Sequence, residues 1–133
     1  MRDYVCHQTA ILLRRLAYEV NRASKNADDD AIHDLRVAIR RLSRCLKLFP
    51  QFYPGRSWKK VRQRLSEVMD AAGEVRDLDI AAKLLEQAGL QPGAAVFKRI
   101  GNDRRAAVRE LSVELRHWKQ RGFSKKWRTD LGL

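Results

Sequence analysis

Apolar residues along this chain recur every three or four positions and nowhere alternate over the length of a strand, so the pattern predicts helices throughout. Val5, Thr9, Leu12, Leu16 and Val20 share one face of a first helix from about Tyr4 to Arg22, closed by the polar run Ser24 to Asp30. A second helix is expected to start after Asp28-Asp29-Asp30, whose carboxylates suit the positive end of a helix dipole, and to end at Phe49 before Pro50. Pro54 and Gly55 extend that turn. A third, from Arg56 to Ala72, turns Trp58, Val61, Leu65, Val68 and Met69 inward, and Gly73 is expected to stop it. A fourth covers roughly Asp77 to Ala88, with Asp77 as N-cap and Asp79 in the first turn, and ends at Gly89. After Pro92 and Gly93 comes a long fifth helix, Ala94 to about Arg121, striped by Phe97, Ile100, Val108, Leu111, Leu115 and Trp118. Connections this short favour antiparallel neighbours. The expected fold is therefore all-α, an antiparallel helical bundle of about five helices with the last one long, over residues 1–121, followed by a loose basic C-terminal tail at 122–133.

Composition adds a partner to this picture. In 133 residues, 44% hydrophobic against 33% charged is the balance of one folded domain, but a formal charge of +12 is too lopsided to serve solubility alone and asks for a polyanion. No apolar stretch approaches the ~20 residues that cross a bilayer, and Met1 to Ala10 lacks the basic start and apolar run of a signal peptide, so no membrane partner and a cytoplasmic location are expected. Cys6 and Cys45 lie far apart with no CxxC or HxxxH spacing near them, and read as small core residues. His7 and His117 share no motif with His33, so no metal and no cofactor are expected.

The position of the charge is more informative than its sum. Residues 33–64 carry ten basic side chains against one acid, and residues 98–133 carry eleven against four, whereas 1–32 are neutral and 65–97 are net acidic. On the second helix His33, Arg36, Arg40, Arg44 and Lys47 fall within about 80° of arc, nearly opposite the stripe Leu35, Ile39, Leu42, Leu46 and Phe49. Solvated faces usually interleave signs at i,i+4, but the row from Arg36 to Lys47 contains no acid and repels itself by a few tenths of a kcal/mol per pair. From His33 to Lys47 is ~21 Å at 1.5 Å per residue, a length suited to a chain of phosphates, and guanidinium forks match phosphate oxygens. On the fifth helix Lys98, Arg105, Arg109 and Arg116 make a second basic row. Arg104, inside the apolar stripe, is either a snorkelling side chain or a cation lining a pocket, and Arg76 either pairs with Asp77 or Asp79 or meets the ligand. His33 is either a neutral hydrogen-bonding partner or a phosphate contact.

The segment from His33-Asp34-Leu35-Arg36-Val37-Ala38-Ile39-Arg40-Arg41-Leu42 to Leu48-Phe49 resembles the signature helix of the CHAD family, the conserved histidine α-helical domains. Val75-Arg76-Asp77-Leu78-Asp79-Ile80 is similar to that family's paired Arg-Asp-x-Asp element, and the resemblance runs over about residues 8–118. It implies a helical module whose basic groove binds inorganic polyphosphate without catalysis. By position it implies contacts from His33, Arg36, Arg40 and Arg41, extended by Arg44 and Lys47, and from Arg76. Family members usually hold two related helical halves around one groove, and this chain resembles the N-terminal half only. That leaves three readings: half a groove suffices, a weak homodimer supplies the rest, or the chain is part of a longer parent. The triphosphate-processing domain sometimes joined to the family is not recognisable, so no enzymatic activity is implied.

The rival reading is a nucleic-acid-binding helical protein using the same basic surface, since +12 gives affinity for DNA or RNA in any fold. Arg56, Lys59, Gln63 and Arg64 would make its recognition face. The linker Phe49 to Ser57 exceeds the tight turn of a helix-turn-helix, and only Phe123 and Trp127, in the tail, are placed to stack bases beside cations. For an enzyme acting on a polyphosphate there is no Gly-rich phosphate loop, no nucleophile beside a base, and too few acids near the cations to hold Mg²⁺.

Overall fold

The computed structural model describes residues 1–133. Five helices follow one another: α1 (Arg2–Lys25), α2 (Asp29–Leu48), α3 (Ser57–Gln87), α4 (Ala95–Gln120) and α5 (Phe123–Asp130), with one 3-10 turn at Pro50–Phe52. The fold is all-α, as the periodicity predicts. α1 packs along α2, α2 along α3 and α3 along α4, whereas α4 meets α1 only lightly. Four helices thus run up and down around one core, with α2 and α4 at diagonal corners. α2 begins where expected because the Asp28 carboxylate accepts the Ala31 N–H at 2.8 Å, and it is held by Leu35, Ile39, Leu42 and Leu46, all essentially unexposed. Each such side chain contributes roughly 1.5–3 kcal/mol of apolar burial.

The helices expected at 56–72 and 77–88 are one continuous element. Gly73 does not stop α3 although glycine inside a helix costs about 1 kcal/mol relative to alanine. Val61, Leu65, Val68, Ala72 and Val75 form an unbroken i,i+3/i+4 stripe across it, all buried, and that packing outweighs the penalty. Asp77 is consequently no N-cap and Asp79 no first-turn residue: both lie inside α3. Asp79 instead accepts from Arg104 Nε of α4 at 2.6 Å, and Arg104 Nη2 donates to the Ala27 carbonyl at 2.7 Å. Arg104 therefore neither snorkels nor lines a pocket. It ties α3, α4 and the α1–α2 connection together.

The C-terminal segment is not a loose tail. Phe123, Trp127 and Leu131, at i, i+4 and i+8, are buried, and Trp118, Phe123 and Trp127 form an aromatic cluster with ring centroids 5.0 to 5.1 Å apart. Gly122, at φ +60°, supplies the left-handed residue that folds α5 back against the bundle. Lys125, Lys126 and Arg128 occupy the outer side of this short helix and are exposed.

Two polar groups enter the core. The Tyr53 hydroxyl donates to Thr9 Oγ1 at 2.7 Å, and Thr9 in turn donates to the Val5 carbonyl at 2.7 Å, which anchors the α2–α3 connection to α1. Burial, and then the neighbouring Cys45 thiol, push the Tyr53 hydroxyl well above the usual phenol range. Cys6 and Cys45 are free thiols at the core's edge, each half-buried. Glu19 is 1% exposed, and neither carboxylate oxygen has a hydrogen-bond partner; Arg22 Nη1 lies 3.7 Å away. No helix is long and apolar enough to cross a membrane.

Two outcomes follow in denaturant unfolding. Trp127→Ala should destabilise the whole domain by ~3–5 kcal/mol through loss of the aromatic cluster, a loss that a dispensable tail would not show. Glu19→Met, which replaces a buried carboxyl without a hydrogen-bond partner by an apolar side chain of similar volume while Arg22 keeps Asp34, should stabilise by ~1–3 kcal/mol; a destabilised variant would mean that Glu19 is needed where it stands.

Candidate anion-binding groove

α2 and α3 lie antiparallel in a register marked at both ends. Arg62 Nε donates to Ser43 Oγ at 3.4 Å at one end, and Arg76 and Lys83 reach Asp29 at the other, at 2.8 and 2.7 Å. That register sets Arg36 level with Met69 and Arg40 level with Leu65, one residue from Ser66. Arg40, Arg44, Arg62, Ser66 and Met69 border a cavity of about 230 Å³ between the two helices.

From Leu35 to Ser66 the chain holds ten basic residues and no acid. The antiparallel turn folds this acid-free stretch back on itself and brings cations of α2 and of early α3 to one flank; of the ten, Arg64 alone pairs with an acid, Glu67. Accordingly Arg36, Arg40, Arg44, Lys47 and Arg62 make no ion pair: the acids that do pair are Glu19, Asp29, Asp34, Glu67 and Asp79. Arg36 is the most telling, because its Nε is buried and has no hydrogen-bond partner. A desolvated donor left unmatched costs ~1–3 kcal/mol, and more where the group is charged. Its vacant direction is a place for an acceptor.

The other sequence-derived contacts divide among separate places. His33 and Arg41 turn toward α1, where with Arg15, Asp34, Val37 and Ala38 they border a cavity of about 240 Å³. Asp34 there accepts from Arg22 at 2.5 Å, and that hydrogen bond, ahead of any other influence, raises the Arg22 guanidinium above its ordinary value. Arg76 pairs with neither Asp77 nor Asp79 but with Asp29 of α2. The hydrogen bond from Lys83, helped by the charges of Lys83 and Arg76, holds the Asp29 carboxyl below the usual carboxylate range against the opposing effect of burial. Lys47 is exposed at the far end of α2.

Lys98, Arg105, Arg109 and Arg116 are all exposed on α4, diagonal to α2. Arg105 is engaged by the Asn102 side chain, and Arg116 borders a second cavity of about 440 Å³ with Ser24, Ser112 and Lys119 on the α1 side. The two basic rows of the sequence therefore sit on different faces. Arg62 and Arg15 were not among the sequence-derived contacts. The signal for Arg62 was present, since the acid-free run does not end with α2. Arg15 has no such signal, because only the packing of α1 on α2 sets it beside His33 and Arg41.

No three of His, Cys, Asp and Glu converge on a common point. A family model described as the CHAD domain matches residues 8–131, nearly the whole chain with α5 included, which corrects the expected resemblance to an N-terminal half ending near Trp118. No curated protein and no solved structure matches the chain.

Proposed function

The chain belongs to the CHAD domain family, which is associated with polyphosphate binding, and on that premise we propose that it is a non-catalytic binding module for inorganic polyphosphate. The observation that carries the reading is the Arg36 Nε, buried without a partner on a flank where Arg40, Arg44 and Arg62 also lack acids. Arginine forks offer paired donors to phosphate oxygens, and a flexible chain with one acidic oxygen per internal phosphate can place successive charges against Arg36, Arg40, Arg44 and Arg62. His33 and Arg41, on the α1 side of the same helix, would take the chain as it crosses α2. The α4 row then adds long-range attraction and few contacts of its own. Nothing in this scheme needs a nucleophile, a metal or a bond broken.

A nucleic acid is the second reading, favoured by the exposure of Arg56, Lys59, Gln63 and Arg64 along early α3. It has less support, because Phe123 and Trp127 are buried in the aromatic cluster and leave no platform for bases beside the tail's cations. Self-association is weak in this scheme, since two chains at +12 repel, and a polyphosphate long enough to bridge both would strengthen it by mass action.

Arg36→Ala with Arg40→Ala should weaken binding of long-chain polyphosphate by ten-fold or more, measured by fluorescence anisotropy, with melting little changed. Arg109→Ala with Arg116→Ala removes the same charge from α4 and should weaken it by no more than about three-fold. Equal losses from the two pairs would reduce the groove to generic attraction. In competition at matched phosphate concentration and ~150 mM salt, polyphosphate should displace duplex DNA and single-stranded RNA, and its affinity should fall steeply as salt rises. Preference for either nucleic acid would support the second reading.

A further inference from the structure

The packed α2–α3 pair begins at Asp29, where one carboxylate is held by two cations of the facing helix. Arg76 Nη1 lies 2.8 Å from Asp29 Oδ1 and Lys83 Nζ lies 2.7 Å from Asp29 Oδ2. No other acid pairs with Arg76 or Lys83, so one negative charge faces two positive ones. A terminal phosphate matches that pair better. Like a phosphomonoester, with a second pKa of about 6, it carries about −1.5 to −2 at pH 7, whereas an internal phosphate has a single acidic oxygen.

Asp29 is also well placed to let go. It is the first residue of α2, where the amide groups of the opening turn lack intrahelical acceptors and the helix dipole favours a negative charge, and Asp28 takes up only the Ala31 N–H. A released Asp29 carboxylate therefore stays in a favourable field. Seven residues separate Asp29 from Arg36, or ~10 Å along the helix, so a chain ending at Arg76 and Lys83 runs directly to the buried Arg36 Nε.

Building on the polyphosphate reading, we infer that Arg76 and Lys83 form a subsite for the terminal phosphate of the chain, which Asp29 fills in the free protein and yields to the ligand. Asp29 is then a specificity-determining residue: it makes occupation of the subsite depend on a group carrying more charge than a carboxylate.

The test compares linear tripolyphosphate with trimetaphosphate, its ring-closed counterpart without a terminal phosphate, by titration calorimetry on wild type, Asp29→Asn, Asp30→Asn and Lys83→Gln. Asp30 is exposed in the same turn and makes no ion pair, so its variant changes the charge equally and frees no cation. Asp29→Asn should tighten linear tripolyphosphate at least five-fold more than Asp30→Asn does, with the two variants alike toward the ring. Lys83→Gln, at an exposed position, should weaken the linear ligand and leave the ring unchanged. Equal tightening by both aspartate variants, or equal effects of Lys83→Gln on ring and linear ligand, would overturn the subsite. Long-chain polyphosphate titrated into wild type separates the two levels: binding there with no such differences removes the subsite alone, whereas no binding removes the parent reading as well.

Discussion

Between Asp34 and Glu67 the chain contains no carboxylate, and the arrangement of this molecule depends on how its ten intervening cations are accommodated. Two like charges 4 Å apart repel by about 1 kcal/mol in water and about 4 kcal/mol at the effective dielectric of a protein surface. Folding brings such charges closer, because the stretch forms α2 and the start of α3 and these pack antiparallel. The core makes that tolerable. Leu35, Ile39, Leu42 and Leu46 of α2 and Val61 and Leu65 of α3 are buried on the opposite side of the same helices, so apolar burial holds the cations in register against their repulsion.

The acids that remain are spent on architecture at the margins of this region. Asp34 engages Arg22, Asp79 engages Arg104, and Asp29 engages Arg76 and Lys83, so each of these three carboxylates ties one helix to another. What is left in the middle is a set of guanidinium groups, Arg36, Arg40, Arg44 and Arg62, without carboxylate partners, one of them with a desolvated Nε. A protein optimised for stability alone would scatter acids along such a flank; leaving it unmatched is the stability cost commonly associated with a binding site. Because the cations are mainly arginines, the charge of the groove does not vary across physiological pH.

Much of this was legible in the sequence, and the misreadings have definite causes. The amphipathic character of α2, its acidic start at Asp28-Asp29-Asp30 and the all-helical fold follow from the sequence pattern, whereas the choice of Asp28 as the cap is seen only in the structure. Gly73 has the chemistry of a helix stop, but the stripe Val68, Ala72, Val75 runs through it and outweighs its penalty of about 1 kcal/mol. Asp77 reads as a cap only where a helix ends at Gly73. At the C-terminus Phe123 and Trp127 read as exposed stacking candidates when taken singly, but with Leu131 their i, i+4, i+8 spacing marks a docked helix. Arg36, Arg40 and Arg44 could be found from one helix's periodicity. The partners of Arg76 and Arg104, the place of Arg15, and the separation of the α4 row from α2 depend on which helices are neighbours, and a single helix's pattern does not encode that.

The central claim is that the α2–α3 groove, and not basic surface in general, receives a chain of phosphates. Arginine Nε–Hε nuclear magnetic resonance spectra, recorded during titration with long-chain polyphosphate, report each guanidinium separately. The account predicts that Arg36, Arg40, Arg44 and Arg62 shift first and together, with Arg36 showing the largest change and slower hydrogen exchange, while Arg105 and Arg109 move little. Uniform shifts across all arginines, with Arg36 no different from Arg109, would contradict it.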